Sequence, residues 1–481
     1  MAADGGPSKT ARAAQVCKIC KARKKRCDKS LPRCGYCSRK DLRCGYGPRP
    51  LSRSRLASHN SASLPLVPSH TITSQPESSD ANVYLQVLDL IRETGRFVDE
   101  ISTHYFQGIH QYMPFISRRR FQSGLTTLGA TPSAGYSVLL LSLCLITSSP
   151  KLGWGTGCSG PAQNFRVVDG RSLHLAMKSL FAQVQGSFPP SVPLIQAGLV
   201  LALYEYAHGQ PDDAFVSIAG CARMGYAAHL HLCKRASTDN DTDSDLVLEA
   251  EEAANTWWGL IICERAMICE ITVPEQPLVT VIAGGDARIP TEPALLEQNR
   301  ILTINLIPVK EVSCLSSSDV GSFGRTAQAA WLLDRVLKVF QDQSFPSRLA
   351  QLQALDKTLQ KFLGALFQES NGKRGILCEV IAITIKTIFI LHWHILSKPP
   401  LATKESGQSV EEWCQCSHAA LDAATKMVLD VVEVHGNPDP CSVLCMAPSY
   451  PYITQAALKH IYGKSTWKDN SWLRDAERRL R

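Results

Sequence analysis

Residues 17–44 read CKICKARKKRCDKSLPRCGYCSRKDLRC, and their cysteines repeat one spacing twice. Cys17, Cys20 and Cys27 form C-x2-C-x6-C; after six residues Cys34, Cys37 and Cys44 form it again. A tetrahedral zinc needs four ligands, so six thiolates hold one ion with two to spare, or two ions if two thiolates are shared. An iron–sulfur site has no need of the run Lys21-Ala22-Arg23-Lys24-Lys25-Arg26 between its ligands. A redox C-x2-C belongs in a βαβ context, which is missing here. Zinc is therefore the expected metal. A segment this short has too few apolar residues to fold alone, so metal binding must supply its folding energy.

Charge is distributed to match. The whole chain of 481 residues is +8, but residues 1–60 carry sixteen Lys and Arg against Asp4, Asp28 and Asp41. That head is +13 and the remainder is −5. A basic head on a mildly acidic body is the asymmetry of a chain that meets a polyanion at one end. With 44% hydrophobic and 20% charged residues, the chain has the composition of a globular protein with two or more folding units. The start MAADGGPSKTARAAQ has no apolar signal core. The run 137–147 is too short to span a bilayer, and 376–396 is interrupted by Glu379, Lys386, His392 and His394. An intracellular chain without membrane partners is expected, in which eighteen cysteines are metal ligands or free thiols rather than disulfides.

The segment 17–44 resembles the fungal binuclear zinc cluster family of DNA-binding transcription factors. All six cysteines match, as do the basic run before Cys27, Asp28 after it, and Pro32 two residues before Cys34. The resemblance implies two Zn2+ ions with Cys17 and Cys34 bridging. One ion would take Cys17, Cys20, Cys27 and Cys34, the other Cys17, Cys34, Cys37 and Cys44. It further implies two short helices beginning near Cys20 and Cys37, joined through a turn at Pro32, and recognition of CGG-type triplets. Lys24 would meet guanine N7 and O6 in the major groove. Arg23, Lys25, Arg26, Arg33, Arg39, Lys40 and Arg43 are assigned to phosphates, which position without reading sequence. Lys18, Lys21 and Lys29 are as readily solvated charges. The same run suits nuclear import, so the nucleus is the expected location.

From Gly45 to about Asp80 the chain turns to Ser, Pro, Arg and His, read as a flexible linker over 45–81 after a disordered start at 1–16. A dimerising zipper would follow in many relatives. Here Leu85 and Leu88 begin a heptad that Arg92 and Gly95 spoil, leaving a homodimer through the body and a monomer both open.

The body, 82–463, reads as all-α. Helices are expected at 84–107, 137–148, 168–185, 193–207, from Pro211, 249–271, 326–341, 347–368, 374–396, 409–434 and 449–462, with a basic tail over 464–481. Three stretches resemble the large regulatory (middle homology) region that accompanies such clusters: YFQGIHQYMPFISRRRF at 105–121, CARMGYAAHLHL at 221–232 and EAEEAANTWWGLIICERAMICEITVPEQPL at 249–278. This chain has Glu264 where the family usually has Asp, and Ala253, Ala254 and Asn255 where it usually has Arg or Lys. Trp257 and Trp258 are expected as separate core anchors, because neighbours on a helix point about 100° apart. Glu264 and Arg265 are expected as a structural ion pair, and Cys414, Cys416 and His418 as thiols and a histidine without metal. The acidic stretch 239–252 reads as a solvated loop and a charged helix start. No phosphate-cradling glycine loop, nucleophile elbow or HExxH occurs, so no enzyme is expected.

The expectation is thus a zinc-dependent regulator of RNA polymerase II transcription with double-stranded DNA and the transcription machinery or coregulators as partners. By resemblance it controls a metabolic or secondary-metabolite gene cluster. The alternative is a sensor whose helical body binds a small-molecule effector and controls the DNA-binding head.

Overall fold

The computed structural model describes residues 16–40, 42, 44, 76–126, 131–148, 169–232, 244–297, 309–341, 345–370, 377–397, 410–435, 447–464 and 467–480. The chain divides into two compact units, 1–72 and 73–481. Among the described residues there is no β-strand; Arg288 and Glu311 form an isolated antiparallel bridge.

The first unit holds two five-residue helices, α1 (Lys18–Ala22) and α2 (Gly35–Arg39), packed on each other. Most of the linker, 45–75, lies outside the described residues, as do 1–15.

The second unit starts with α3 (Pro76–Glu93) and α4 (Val98–Gln107), where one helix over 84–107 was expected. Gly95, at φ +71°, breaks it, a left-handed conformation that glycine adopts without a Cβ clash. Then come α5 (Arg118–Thr126), α6 (Ala134–Thr147), α7 (Gly170–Ser187), α8 (Val192–Ala207), α9 (Pro211–Ala227), α10 (Ser244–Met267) and a short α11 (Pro293–Glu297). The C-terminal half holds α12 (Ser322–Phe340), α13 (Phe345–Glu369), α14 (Cys378–Ser397), α15 (Val410–His435), α16 (Tyr450–Gly463) and α17 (Ser471–Leu480).

Three helices are apolar around their whole circumference, and each sits inside. All of α6 is buried except Tyr136, under α3, α4, α7 and α8. On α8, every residue from Leu194 to Tyr206 is buried, including Gln196 and Glu205. The third, α14, is surrounded by α12, α13, α15 and α16. By length and composition α14 could cross a membrane, but 72% of its apolar window is buried in the body, the setting of a core helix. The packing of α10 against α12 joins the two halves, and Tyr452 of α16 adds a tie: its ring stacks on Tyr206 at 4.1 Å and its hydroxyl donates to the Tyr206 carbonyl. Close approach of α8 to its neighbours depends on Gly198, where any Cβ would collide with Cys221 Sγ and the Phe181 ring.

Buried charges are matched. Arg265 bonds to Glu264 Oε2 and Asp334 Oδ1, each at 2.8 Å, and to the Thr280 carbonyl and hydroxyl. The expected ion pair is therefore part of a larger knot. Trp257 and Trp258 are both core residues, with Trp258 Nε1 donating to the Arg288 carbonyl. The acidic stretch differs from the expectation. Its loop, 239–243, lies outside the described residues, and Glu249 is exposed, but Glu251 and Glu252 are buried. Glu251 pairs with Arg288 and accepts from Thr291, while Glu252 accepts from the Ser117 amide, Gln196 and Arg120. Burial is tolerable because partners from other elements satisfy both carboxylates.

The expected basic tail is also corrected. Residues 471–480 form α17, whose Leu473, Ala476 and Leu480 are buried against α15 and α16. Their spacing of three and four makes an apolar stripe beneath Arg474, Arg478 and Arg479, which the charge of the segment had masked. The scattered cysteines are mixed: Cys144, Cys221 and Cys263 are buried, but Cys314 and Cys416 are exposed.

Candidate metal centre

The duplicated spacing produces duplicated local structure. Cys17 precedes α1 with extended backbone, and its Sγ accepts from the Cys20 amide at 3.4 Å. Cys34 does the same for α2, accepting from Cys37 at 3.4 Å. Each helix thus starts about two residues before its expected position, because the first cysteine of each half is itself the N-cap. Both C-x2-C pairs lie across one helical turn, which turns the two sulfurs to one side.

The six sulfurs form two overlapping sets, Cys17, Cys20, Cys27, Cys34 and Cys17, Cys34, Cys37, Cys44, with all ligand atoms in each set within 4.8 Å of one another. Cys17 and Cys34 belong to both. Their sulfurs are 3.7 Å apart, Cys20 to Cys34 is 3.6 Å, and Cys17 to Cys37 is 3.6 Å. A metal bonded to four thiolates at about 2.3 Å sets tetrahedral edges of about 3.8 Å, so this donor set fits a tetrahedral thiolate centre. Cys17, Cys20, Cys34 and Cys37 are fully buried, while Cys27 and Cys44 are half-buried.

The acid–base chemistry fits too. Burial, then hydrogen bonding from the Cys17, Cys34 and Cys37 thiols, pushes Cys20 far above an ordinary thiol. Burial pushes Cys37 up to about 12. Cys27 goes the other way: burial opposes it, but hydrogen bonds from the Cys17 and Lys29 amides bring it down to about 7. Crowded sulfurs of this kind lose their protons together only when a cation replaces them.

Around the sulfurs stands a cationic rim. Arg23, Lys24, Lys25, Arg26, Arg39 and Lys40 are all exposed. Lys24 comes just after the C-cap Arg23 of α1 with φ +52°, so the chain turns there and leaves its side chain beyond the helix end. Arg33 has a structural task as well, donating from Nη2 to the Leu42 carbonyl at 2.8 Å. Arg43 lies outside the described residues. Asp28, singled out only by resemblance, has a visible role: its carboxylate accepts from the Gly35 amide at 3.0 and 3.1 Å and clasps the start of α2 to the first half. The Ser30 amide, and after it the Gly35 amide, hold its carboxyl below the usual range. Gly35 permits the approach, since a Cβ there would meet Asp28 Oδ2 at 2.6 Å.

In the second unit, residues 103–265 match the model of the fungal specific transcription factor domain. The match runs from α4 through the Trp257–Trp258 pair to Arg265, covering two of the three stretches on which the resemblance rested and most of the third. Over 134 residues the chain is 28% identical to a protein named Transcription factor BOA15 from Botryotinia fuckeliana (strain B05.10), an alignment covering 28% of this chain and 68% of that protein. Both findings support a transcriptional regulator rather than an enzyme.

Proposed function

We propose that the chain is a zinc-dependent, sequence-specific DNA-binding regulator of RNA polymerase II transcription that acts in the nucleus. The carrying observation is the pair of overlapping sulfur sets sharing Cys17 and Cys34, with exposed Lys24 at the end of the helix they anchor. In this reading Cys17, Cys20, Cys27, Cys34, Cys37 and Cys44 hold two Zn2+ ions, Cys17 and Cys34 bridging. Bound zinc supplies the folding energy that so small a core lacks. The two ions and six thiolates sum to about −2, well below the cationic charge around them. Lys24 takes the base edges of a CGG-like element. Arg23, Lys25, Arg26, Arg33, Arg39, Lys40 and Arg43 take phosphates, so affinity falls steeply with added salt.

The test compares CGG-containing and scrambled duplexes with the zinc-loaded full chain. Lys24→Ala is expected to weaken the CGG duplex by roughly 1–3 kcal/mol and leave the scrambled one nearly unchanged. Equal binding of both duplexes, unaffected by the substitution, would remove the base-reading role. The family resemblance extends the proposal to control of a metabolic or secondary-metabolite gene cluster, which genome-wide mapping of bound sites tests directly.

A second reading, in which the body also senses a small molecule, is favoured by one observation: a cavity of about 1000 Å³ between the end of α10 and the C-terminal helices.

A further inference from the structure

The cavity opens between the end of α10, the following loop 274–281, and one face each of α12, α14 and α16. Its walls combine two features that protein interiors seldom leave uncovered. The first is apolar: Leu337, Phe340, Ile390 and Trp393 all line it and are only half-buried, although each packs against the main core. Phe340 lies flat on the His394 ring, with centroids 3.8 Å apart and planes at 9°, so that wall is already a stack of planar groups.

The second feature is charge. Most lining charges are neutralised within the protein. Arg265 and Lys338 share Asp334, and Lys386 pairs with Glu270 at 2.5 Å, both side chains being 12% exposed. Among the lining cations, Lys459 makes no salt bridge with a described carboxylate, and its charge reaches Glu270 only as a weaker influence than that of Lys386. Its Nζ stands over the Trp393 ring, 4.6 Å from the centroid. Glu275 is the lining carboxylate outside these pairs, and it lies on the exposed loop. An ammonium held on an indole face, beside half-covered aromatic and branched side chains, presents a cation and a flat apolar surface at one place.

We infer that this cavity binds a planar aromatic anion of small-molecule size, its acidic group on Lys459 and its ring system against Trp393, Leu337 and the Phe340–His394 stack. The inference rests on the effector-sensing reading and narrows it to a ligand class. DNA binding by the cysteine-rich head plays no part in it. The volume is at the upper end of what drug-sized ligands occupy, roughly 300–1000 Å³.

The test uses the full chain and two fluorescent probes with the same ring system, anionic 8-anilinonaphthalene-1-sulfonate and neutral N-phenyl-1-naphthylamine. The anion is expected to bind one equivalent. Lys459→Gln should weaken it about tenfold and leave the neutral probe unchanged. Gln455→Trp, at an exposed lining position, intrudes on the cavity and should weaken binding of the anion. An unshifted thermal midpoint certifies that each variant is folded. If the neutral probe binds as tightly as the anion, or Lys459→Gln has no effect, the anion class is overturned while the sensing cavity stands. If neither probe gives saturable binding that Gln455→Trp weakens, the cavity is no ligand site and both readings fall.

Discussion

Arg265 shows how one side chain can hold distant segments in register. It lies on α10, yet its guanidinium bonds to Asp334 on α12 and to the Thr280 carbonyl in the loop beyond, while Glu264 receives the Val279 and Thr280 amides. Replacing it with methionine keeps much of the volume but leaves Glu264 buried without its cation and Asp334 with only the exposed Lys338. The expected loss is about 3–5 kcal/mol in urea unfolding of the body, and a loss under 1 kcal/mol would contradict the role. His110 is a second case. Burial, then the nearby Arg118 charge, moves its pKa from about 6.5 down to about 3. A depressed histidine stabilises the folded state above the unfolded pKa and loses that contribution as pH falls through the window between the two values. Stability should therefore drop from about pH 6.5 towards pH 3 by up to ~1.4 kcal/mol per pH unit from this group. His110→Phe should flatten that slope in urea titrations run across the window; an unchanged slope would reject the assignment.

At the scale of the element, α3 answers a question the heptad reading left open. Its buried residues are Val83, Val87 and Ile91, four apart, and they face α6 of the same chain, while Leu85 is 58% exposed. The seam of Val83, Val87 and Ile91 is thus used inside the body, on a different face from Leu85. Ile91→Ala should cost about 2–5 kcal/mol, whereas Leu85→Ala should stay within about 0.5 kcal/mol. Sedimentation measurements should give the same oligomeric state for Leu85→Ala as for the parent; a dimer lost with Leu85 would restore the zipper. Burial was most legible for the helices with no polar face, α6, α8 and α14, because a segment apolar all round has only the interior to occupy. Least legible were α17, whose arginines hid a narrow stripe, and the break at Gly95, a single backbone conformation inside an otherwise continuous pattern.

Across the whole molecule, the head and body have different sources of stability. The head encloses little but sulfur, whereas the body buries a continuous core from Val83 to Leu480. Removal of metal by a chelator should abolish the head's structure and leave helical circular dichroism and the body's unfolding midpoint nearly unchanged. A large parallel loss of both would show the head to be part of the body's fold.

The sequence by itself determined the candidate metal ligands, the basic rim and the all-helical body. These follow from spacing, local charge and periodicity, which act between residues a few positions apart. Tertiary structure alone decided that Glu251 and Glu252 turn inward, that Asp28 clasps α2, and that Lys459 meets Trp393 beside a cavity. Each depends on where separate segments cross, and crossings are set by the packing of the whole core rather than by any local pattern.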